Sequence, residues 1–471
     1  MFDHIDEVFS THFARGSAPS LVWGTFDRRG LMHVGAVGRG HDGMEPGPDT
    51  AYRIASCTKS FTAATLLALR DAGQLSLDDR VTRFVPAFAE VVLPTADAPV
   101  PTLRMLLTMS AGFPTDDPWA DRQEAMSRDE FDTLLRTGLT FESIPGTAFA
   151  YSNLGFALLG RVIEQASGRS YRDLVTELFL EPLGLTGTGW DASVPAAGGV
   201  AVGTRWLDST WHSLPFSAPG VFSPIGGLFS TVTDLSAWAA WLASAFDPAG
   251  ADEPASPLSR ASRREMQQAY RFVPALPQHP TGYGFGLFVE HDARRGTVVS
   301  HSGGYPGFSA HMRWSAERGH GIVAFGNATH SRLSVATTLA FNRLDAEQSP
   351  APVTVLPATR VAQHALTRLI RQWSDDAARD LFAPNVELDD SLERRRSAIA
   401  RAVDLVGGLA PQDMPTHAHR LDTGEVSTGL AHLVWFVPGV AGRLRVEIRL
   451  TPQHPPRVQT LTVTTDLVQP R

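Results

Sequence analysis

The stretch Phe61-Thr62-Ala63-Ala64-Thr65-Leu66-Leu67-Ala68-Leu69 puts small or apolar side chains on nearly every face of a helix. A helix with no polar side has no face to give to water, so it must lie inside the molecule with other elements packed around it. Gly73, after Arg70-Asp71-Ala72, supplies a stop. Directly before the run stands Arg53-Ile54-Ala55-Ser56-Cys57-Thr58-Lys59-Ser60. Lys59 is the single lysine of the chain, and every other one of the 41 lysine and arginine residues is arginine. Arginine keeps its proton in a protein, whereas a desolvated lysine can lose it. A lone lysine at the head of a buried helix therefore suggests a place that needs a titratable amine. Chance survival of one lysine is the alternative.

Ser56 falls at or near the N-terminus of this helix, and positions i and i+3 share a helix face, so the Ser56 hydroxyl and the Lys59 amine can meet. Burial disfavours the ammonium form and lets the amine act as a base. The helix N-terminus favours negative charge near Ser56 as it attacks. By itself Ser-x-x-Lys is a weak pattern, and an N-cap serine with a snorkelling lysine would also fit it.

Two more elements sharpen the reading. Pro145-Gly146-Thr147-Ala148-Phe149-Ala150-Tyr151-Ser152-Asn153-Leu154-Gly155 is a Pro-Gly turn leading into an apolar helix, with Tyr151 and Asn153 on the loop at its start. A packed tyrosine and an N-cap asparagine are the structural alternative. Val298-Val299-Ser300-His301-Ser302-Gly303-Gly304-Tyr305-Pro306-Gly307 reads as a β-branched strand running into a glycine-rich turn. Paired glycines at a strand edge let a ligand approach the backbone closely.

Together, in this order, and with Thr102–Gly112 and Gly226–Thr231 as supporting segments, these elements resemble the serine β-lactamase and penicillin-binding-protein superfamily. Within it they look most like the class C β-lactamase-related serine hydrolases, a resemblance that covers roughly residues 15 to 345. The resemblance implies a role for each matching residue. Ser56 is the expected nucleophile, and Lys59 and Tyr151 share proton transfer. Asn153, His301, Ser302 and Gly303 are the expected substrate-binding residues. The backbone N–H groups of Ser56 and Gly304 form the expected oxyanion hole. The third element is His-Ser-Gly where many penicillin-recognising members carry Lys-Thr-Gly, and a histidine is only partly charged near neutral pH. That departure favours esterases, D-amino-acid amidases and acyl-transfer enzymes over a β-lactamase or D-Ala-D-Ala carboxypeptidase. Cys57 is expected to point into the core with no catalytic role.

The fold expected from the resemblance is α/β (α+β), an antiparallel sheet flanked by helices with a helical subdomain. Strands are expected at Ser20–Phe26, Leu31–Val37, Gly284–Glu290, Thr297–Ser300, Ser309–Trp314 and Gly321–Gly326, with a mostly helical region between. Residues 1–345 form the expected hydrolase domain and 346–358 a linker around Gln348-Ser349-Pro350-Ala351-Pro352. Residues 359–471 form a small α+β domain. In it, helices are expected at Thr359–Leu381 and Leu392–Leu409, and strands at Leu430–Val437, Arg443–Leu450 and Val458–Thr465.

Other function classes find no support. A formal charge of −8 and a pI near 6.1 give no general attraction to nucleic acid or anionic membranes. Met1–Arg15 carries Asp3, Asp6 and Glu7 where a secretion signal needs positive charge, and instead spaces Phe2, Ile5, Val8, Phe9 and Phe13 as an amphipathic helix. A cytoplasmic protein is therefore expected. One cysteine excludes an internal disulfide and a cysteine-based zinc site. His417-Ala418-His419 lacks an obvious third ligand, and no cofactor or metal is expected. No Gly-x-x-x-x-Gly-Lys phosphate loop occurs, since the lone lysine excludes one, and no Gly-x-Ser-x-Gly elbow occurs. The leading expectation is a serine hydrolase acting on a small-molecule ester, amide or peptide substrate. An acyltransferase or peptide-cyclising thioesterase, and a non-catalytic binding protein on the same fold, are the alternatives. The motifs leave the acyl acceptor and the oligomeric state open.

Overall fold

The computed structural model describes residues 2–40, 43–247, 250, 256–274, 280–292, 295–347, 353, 355–411 and 424–467. The chain divides into two compact units, Met1–Ala351 and Pro352–Arg471.

The first unit is built on an eight-stranded antiparallel sheet. Its strand order is Gly30–Gly38, Ser20–Asp27, Gly321–Gly326, Phe308–Ser315, Gly296–Tyr305, Phe288–Asp292, Thr281–Tyr283, Arg271–Phe272. The two ends of the unit meet where Leu21 pairs with Gly326 and Phe26 with Gly321. Alternation along these strands feeds two cores. Leu21, Trp23, Ile322 and Ala324 pack with the helices Asp3–Ala14 and Leu333–Ala346 through Ile5, Phe9 and Phe341. Val22, Val323 and Phe325 pack in the main core with Val232, Leu235 and Trp238 of the helix Val232–Ser244. Both faces are covered, which is why these strands read as nearly continuous apolar runs.

The run that opened the sequence reading is the helix Thr58–Asp71, buried from Thr58 to Leu67 and followed by Gly73 at φ +72°. Its small polar side chains are spent inside the core. The Trp238 indole donates to Ser60 at 3.0 Å, Phe61 stacks on Trp238 with centroids 3.8 Å apart, and Thr62 donates to the Pro224 carbonyl at 2.8 Å.

Several expected boundaries move, each for a packing reason. The strand expected over Gly284–Glu290 is interrupted between Tyr283 and Phe288. There Gly286 takes φ +71°, and a Cβ on it would stand 2.5 Å from the Lys59 carbonyl oxygen. The strand expected to end at Ser300 continues through the glycines to Tyr305, and the turn is Pro306-Gly307. Two short pairings were not foreseen: Tyr52–Arg53 with Phe229–Ser230, and the hairpin Thr204–Leu207 with Thr210–Ser213.

In the second unit, a three-stranded antiparallel sheet of His432–Pro438, Gly442–Leu450 and Val458–Leu467 packs against helices Pro357–Arg371, Asp375–Leu381 and Leu392–Leu405. The single helix expected over Thr359–Leu381 is broken at Gln372, because Ser374 caps a new helix by accepting from the Ala377 N–H. The helix expected to reach Leu409 stops at Leu405, before Gly407 and Gly408 with φ of +76° and +82°. Gln348–Pro352 and His417–His419 lie outside the described residues.

Candidate active site

Ser56 sits in the single turn Ala55–Cys57 that feeds the buried helix. Ala55 has φ +48°, a left-handed conformation that costs roughly 1–2 kcal/mol for a residue with a Cβ. Two glycines allow that turn to be gripped. A Cβ on Gly303 would stand 2.2 Å from the Ile54 carbonyl oxygen, and one on Gly226 would stand 3.4 Å from the Ala55 Cα. The hydroxyl of Ser56 is presented at the wall of a cavity of about 580 Å³.

Lys59 is fully buried, and its Nζ lies 2.9 Å from Ser56 Oγ and 2.9 Å from the Ile225 carbonyl oxygen. The carbonyl can only accept, so it takes one amine N–H. The hydroxyl can donate, so the nitrogen lone pair is free to receive the Ser56 proton when Lys59 is neutral. Burial lowers the Lys59 pKa to about 8, while the carboxylates of Asp117, Asp121 and Asp116 pull the other way.

Tyr151 lines the same cavity as Ser56, and its ring centroid lies 5.1 Å from Lys59 Nζ. Burial, then Tyr283 and Asp117, push its phenol well above the usual range, so it holds its proton. Asn153 behaves differently from the expectation of a loop residue. It is the first residue of the helix Asn153–Ser167, and Ser152 is the N-cap. Its N–H and that of Leu154 donate to Asp116 at 2.6 and 2.9 Å, and its Nδ2 donates to Asp117 at 2.7 Å. Asn153 is fully buried behind Asp117, and Asp117 stands on the cavity wall.

The strand Gly296–Tyr305 supplies the opposite wall through His301, Ser302 and Gly304. The expectation of a partly charged His301 is corrected. Its Nδ1 lies 2.6 Å from the Ser302 carbonyl oxygen and must carry the hydrogen, leaving Nε2 to accept from the Tyr283 hydroxyl at 3.1 Å. Burial and the nearby Lys59 lower its pKa to about 3, so the imidazole is neutral. Ser302 Oγ lies 2.9 Å from His311 Nδ1. A Cβ on Gly304 would meet nothing within 4 Å, whereas Gly303 lies behind the wall against Ile54. Cys57 is buried, its thiol donates to the His301 carbonyl at 3.5 Å, and burial pushes its pKa up to about 12.

Ser56, Lys59, Tyr151, His301, Ser302 and Gly304 thus converge on one site, with Asn153 and Gly303 as its backing. The sequence reading singled out none of the other wall residues: Asp117, Asp121, Arg122, Tyr305 and His330 all line the cavity. Asp116-Asp117-Pro118 is a legible helix start, but nothing local says what it faces. Asp121 is pushed up to about 7 by burial and then by Asp117. Among the described residues, no group of three His, Cys, Asp or Glu is placed to hold a metal ion, and no helix is long and apolar enough to cross a membrane.

A family model described as Beta-lactamase matches residues 5–346. Protein flp of Staphylococcus aureus (strain COL) is 26% identical over 292 residues, which cover 60% of this chain and 54% of that relative. A penicillin-binding protein of Bacillus subtilis (strain 168) is 29% identical over 282 residues, covering 56% of this chain and 58% of the relative. The chain therefore spans little more than half the length of these curated relatives. Among solved structures, the octameric penicillin-binding protein homologue from Pyrococcus abyssi superposes with a TM-score of 0.63 at 20% identity, covering 98% of both chains. A D-stereospecific amidohydrolase from Streptomyces sp. gives a TM-score of 0.59 at 23% identity, covering 72% of this chain and 98% of that one. These two likenesses establish the fold, an antiparallel sheet flanked by helices.

Proposed function

The chain belongs to the Beta-lactamase family, and from that premise we propose that it is a serine hydrolase forming a covalent acyl-enzyme at Ser56 on small ester, amide or peptide substrates. The observation that carries this reading is the 2.9 Å contact between the Ser56 hydroxyl and the fully buried amine of Lys59. Neutral Lys59 takes the Ser56 proton as Oγ bonds to the substrate carbonyl carbon. The N–H groups of Ser56 and Gly304 stabilise the oxyanion. Tyr151, protonated and on the same cavity wall as Ser56, delivers a proton to the leaving group. Water then releases the acid. Asn153 acts from behind, through the bond that orients Asp117 on the wall.

Intact mass after brief exposure to an activated ester, and separately to a β-lactam, tests the proposal in wild type and Ser56→Ala. An adduct or turnover that vanishes in the variant is expected. Equal turnover in the variant would sink the reading.

The pH dependence has a defined sign. The active base is the neutral amine, so acylation should rise about tenfold per pH unit below the Lys59 pKa of about 8 and level off above it. Asp117 favours the ammonium form, so Asp117→Asn should bring the plateau to lower pH. A pH profile of acylation by p-nitrophenyl acetate reads both; an unshifted or upward-shifted variant would contradict the assignment.

A neutral His301 gives the substrate carboxylate of a β-lactam no charged partner on this strand. A carboxylate-bearing analogue therefore forgoes the charge-assisted hydrogen bond, worth about 1.5–3 kcal/mol, that a cation on this strand would supply, and its kcat/KM should not exceed that of the neutral ester. Preference for the anionic analogue would mean that the cavity's own cation, Arg122, reaches the substrate carboxylate.

A further inference from the structure

Behind the cavity lies an ion pair that the proposed chemistry does not use. Arg53 and Glu124 are each 1% exposed and hydrogen-bonded to one another. Arg53 Nε also donates to the Gly226 carbonyl at 3.2 Å, and its Nη1 donates to Ser217 Oγ at 2.9 Å. Glu124 accepts from the Tyr305 hydroxyl at 2.7 Å and from Ser217 at 2.6 Å. The Arg53 guanidinium lies 4.1 Å from the centroid of the Tyr305 ring.

Each arm of this network ends on a working part of the site. Arg53 is three residues before Ser56. Gly226 follows Ile225, whose carbonyl holds the Lys59 amine, and Gly226 packs on the strained Ala55. Tyr305 follows Gly304 at the open end of its strand and lines the cavity. A buried ion pair is poor evidence for stability, because apolar residues of similar volume commonly serve as well. Its directionality is what apolar packing cannot reproduce: fixed donors and acceptors set three segments at defined distances.

We infer that Glu124 is a positioning residue that, through Tyr305 and Arg53, sets the Gly304 amide and the Ile225–Gly226 turn in register with Ser56. The inference rests on the acyl-enzyme reading above. The Tyr305 hydroxyl is engaged by Glu124, so its removal takes away the strand end's tie to Glu124 while the ring stays on the cavity wall. A donor displaced by about 1 Å can cost about a hundredfold in rate.

The test uses the full chain and the pre-steady-state burst with p-nitrophenyl acetate. Burst amplitude counts molecules with a competent Ser56, and the first-order acylation constant reports how well each one works. Tyr305→Phe keeps the ion pair and should fold normally. Its acylation constant should fall about tenfold, with half-saturation within about twofold of wild type and full burst amplitude. Glu124→Gln should fall further in its folded fraction, and the double variant should be no slower than Glu124→Gln, because Tyr305 acts through Glu124. A wild-type acylation constant in Tyr305→Phe would overturn the inference, as would losses seen only as reduced burst amplitude. A wild type that forms no Ser56 adduct would instead remove the acyl-enzyme reading itself, and the inference with it.

Discussion

Lys59→Met is expected to abolish acylation of Ser56 by an activated ester, by about 10³-fold or more, while leaving the protein folded. A general base contributes about 10²–10⁴-fold, and the other proton-transfer group on this cavity wall, the Tyr151 phenol, holds its proton. Methionine fills nearly the same volume, and Lys59 makes only two hydrogen bonds in its buried position. Losing the donor to the Ile225 carbonyl costs about 1–2 kcal/mol, partly offset because an amine no longer has to be desolvated. Unfolding midpoint and intact-mass acylation, measured on the same sample, separate the two effects. Lys59→Arg should be equally inactive, because arginine retains its proton, and less stable, because the larger group must enter a filled space. Substantial acylation by either variant would mean that another group takes the Ser56 proton.

Gly303→Ala is expected to damage both stability and activity, whereas Gly304→Ala should leave the fold intact. These neighbours alternate across the strand. A Cβ at 303 would stand 2.2 Å from the Ile54 carbonyl oxygen and 3.1 Å from the Ala55 Cβ, and a backbone atom cannot swing aside as a side chain can. The strand or the nucleophile turn must move, at a cost of about 3 kcal/mol and with about a hundredfold loss in acylation. A Cβ at 304 meets nothing within 4 Å, so its effect on stability should stay within about 0.5 kcal/mol. Denaturant midpoints of the two variants compare them directly. Equal stability would mean that the turn and the strand are less tightly apposed than the structure has them.

What the sequence determined by itself is the local chemistry and the periodic elements. Ser56 and Lys59 meet because a helix brings i and i+3 together wherever it lies, and the apolar run after them dictates burial of that helix. Apolar runs placed the strands Ser20–Asp27, Phe308–Ser315 and Gly321–Gly326 within about a residue of their observed ends. Tertiary packing decided everything that depends on who stands opposite. The chain at Gly286 comes close to Lys59's carbonyl and the strand at Gly303 close to Ile54's, approaches that only a residue without a Cβ allows. The neutrality of His301 follows from burial beside Lys59, and its Nε2 meets the hydroxyl of Tyr283, eighteen positions away in the chain. Asp117 and Asp121 enter the wall, and Arg53 finds Glu124 across 71 residues, through contacts that carry no local signature. Short-range geometry is set by backbone periodicity and can be read along the chain. Desolvation and long-range pairing are properties of the packed interior, and they exist only once it has formed.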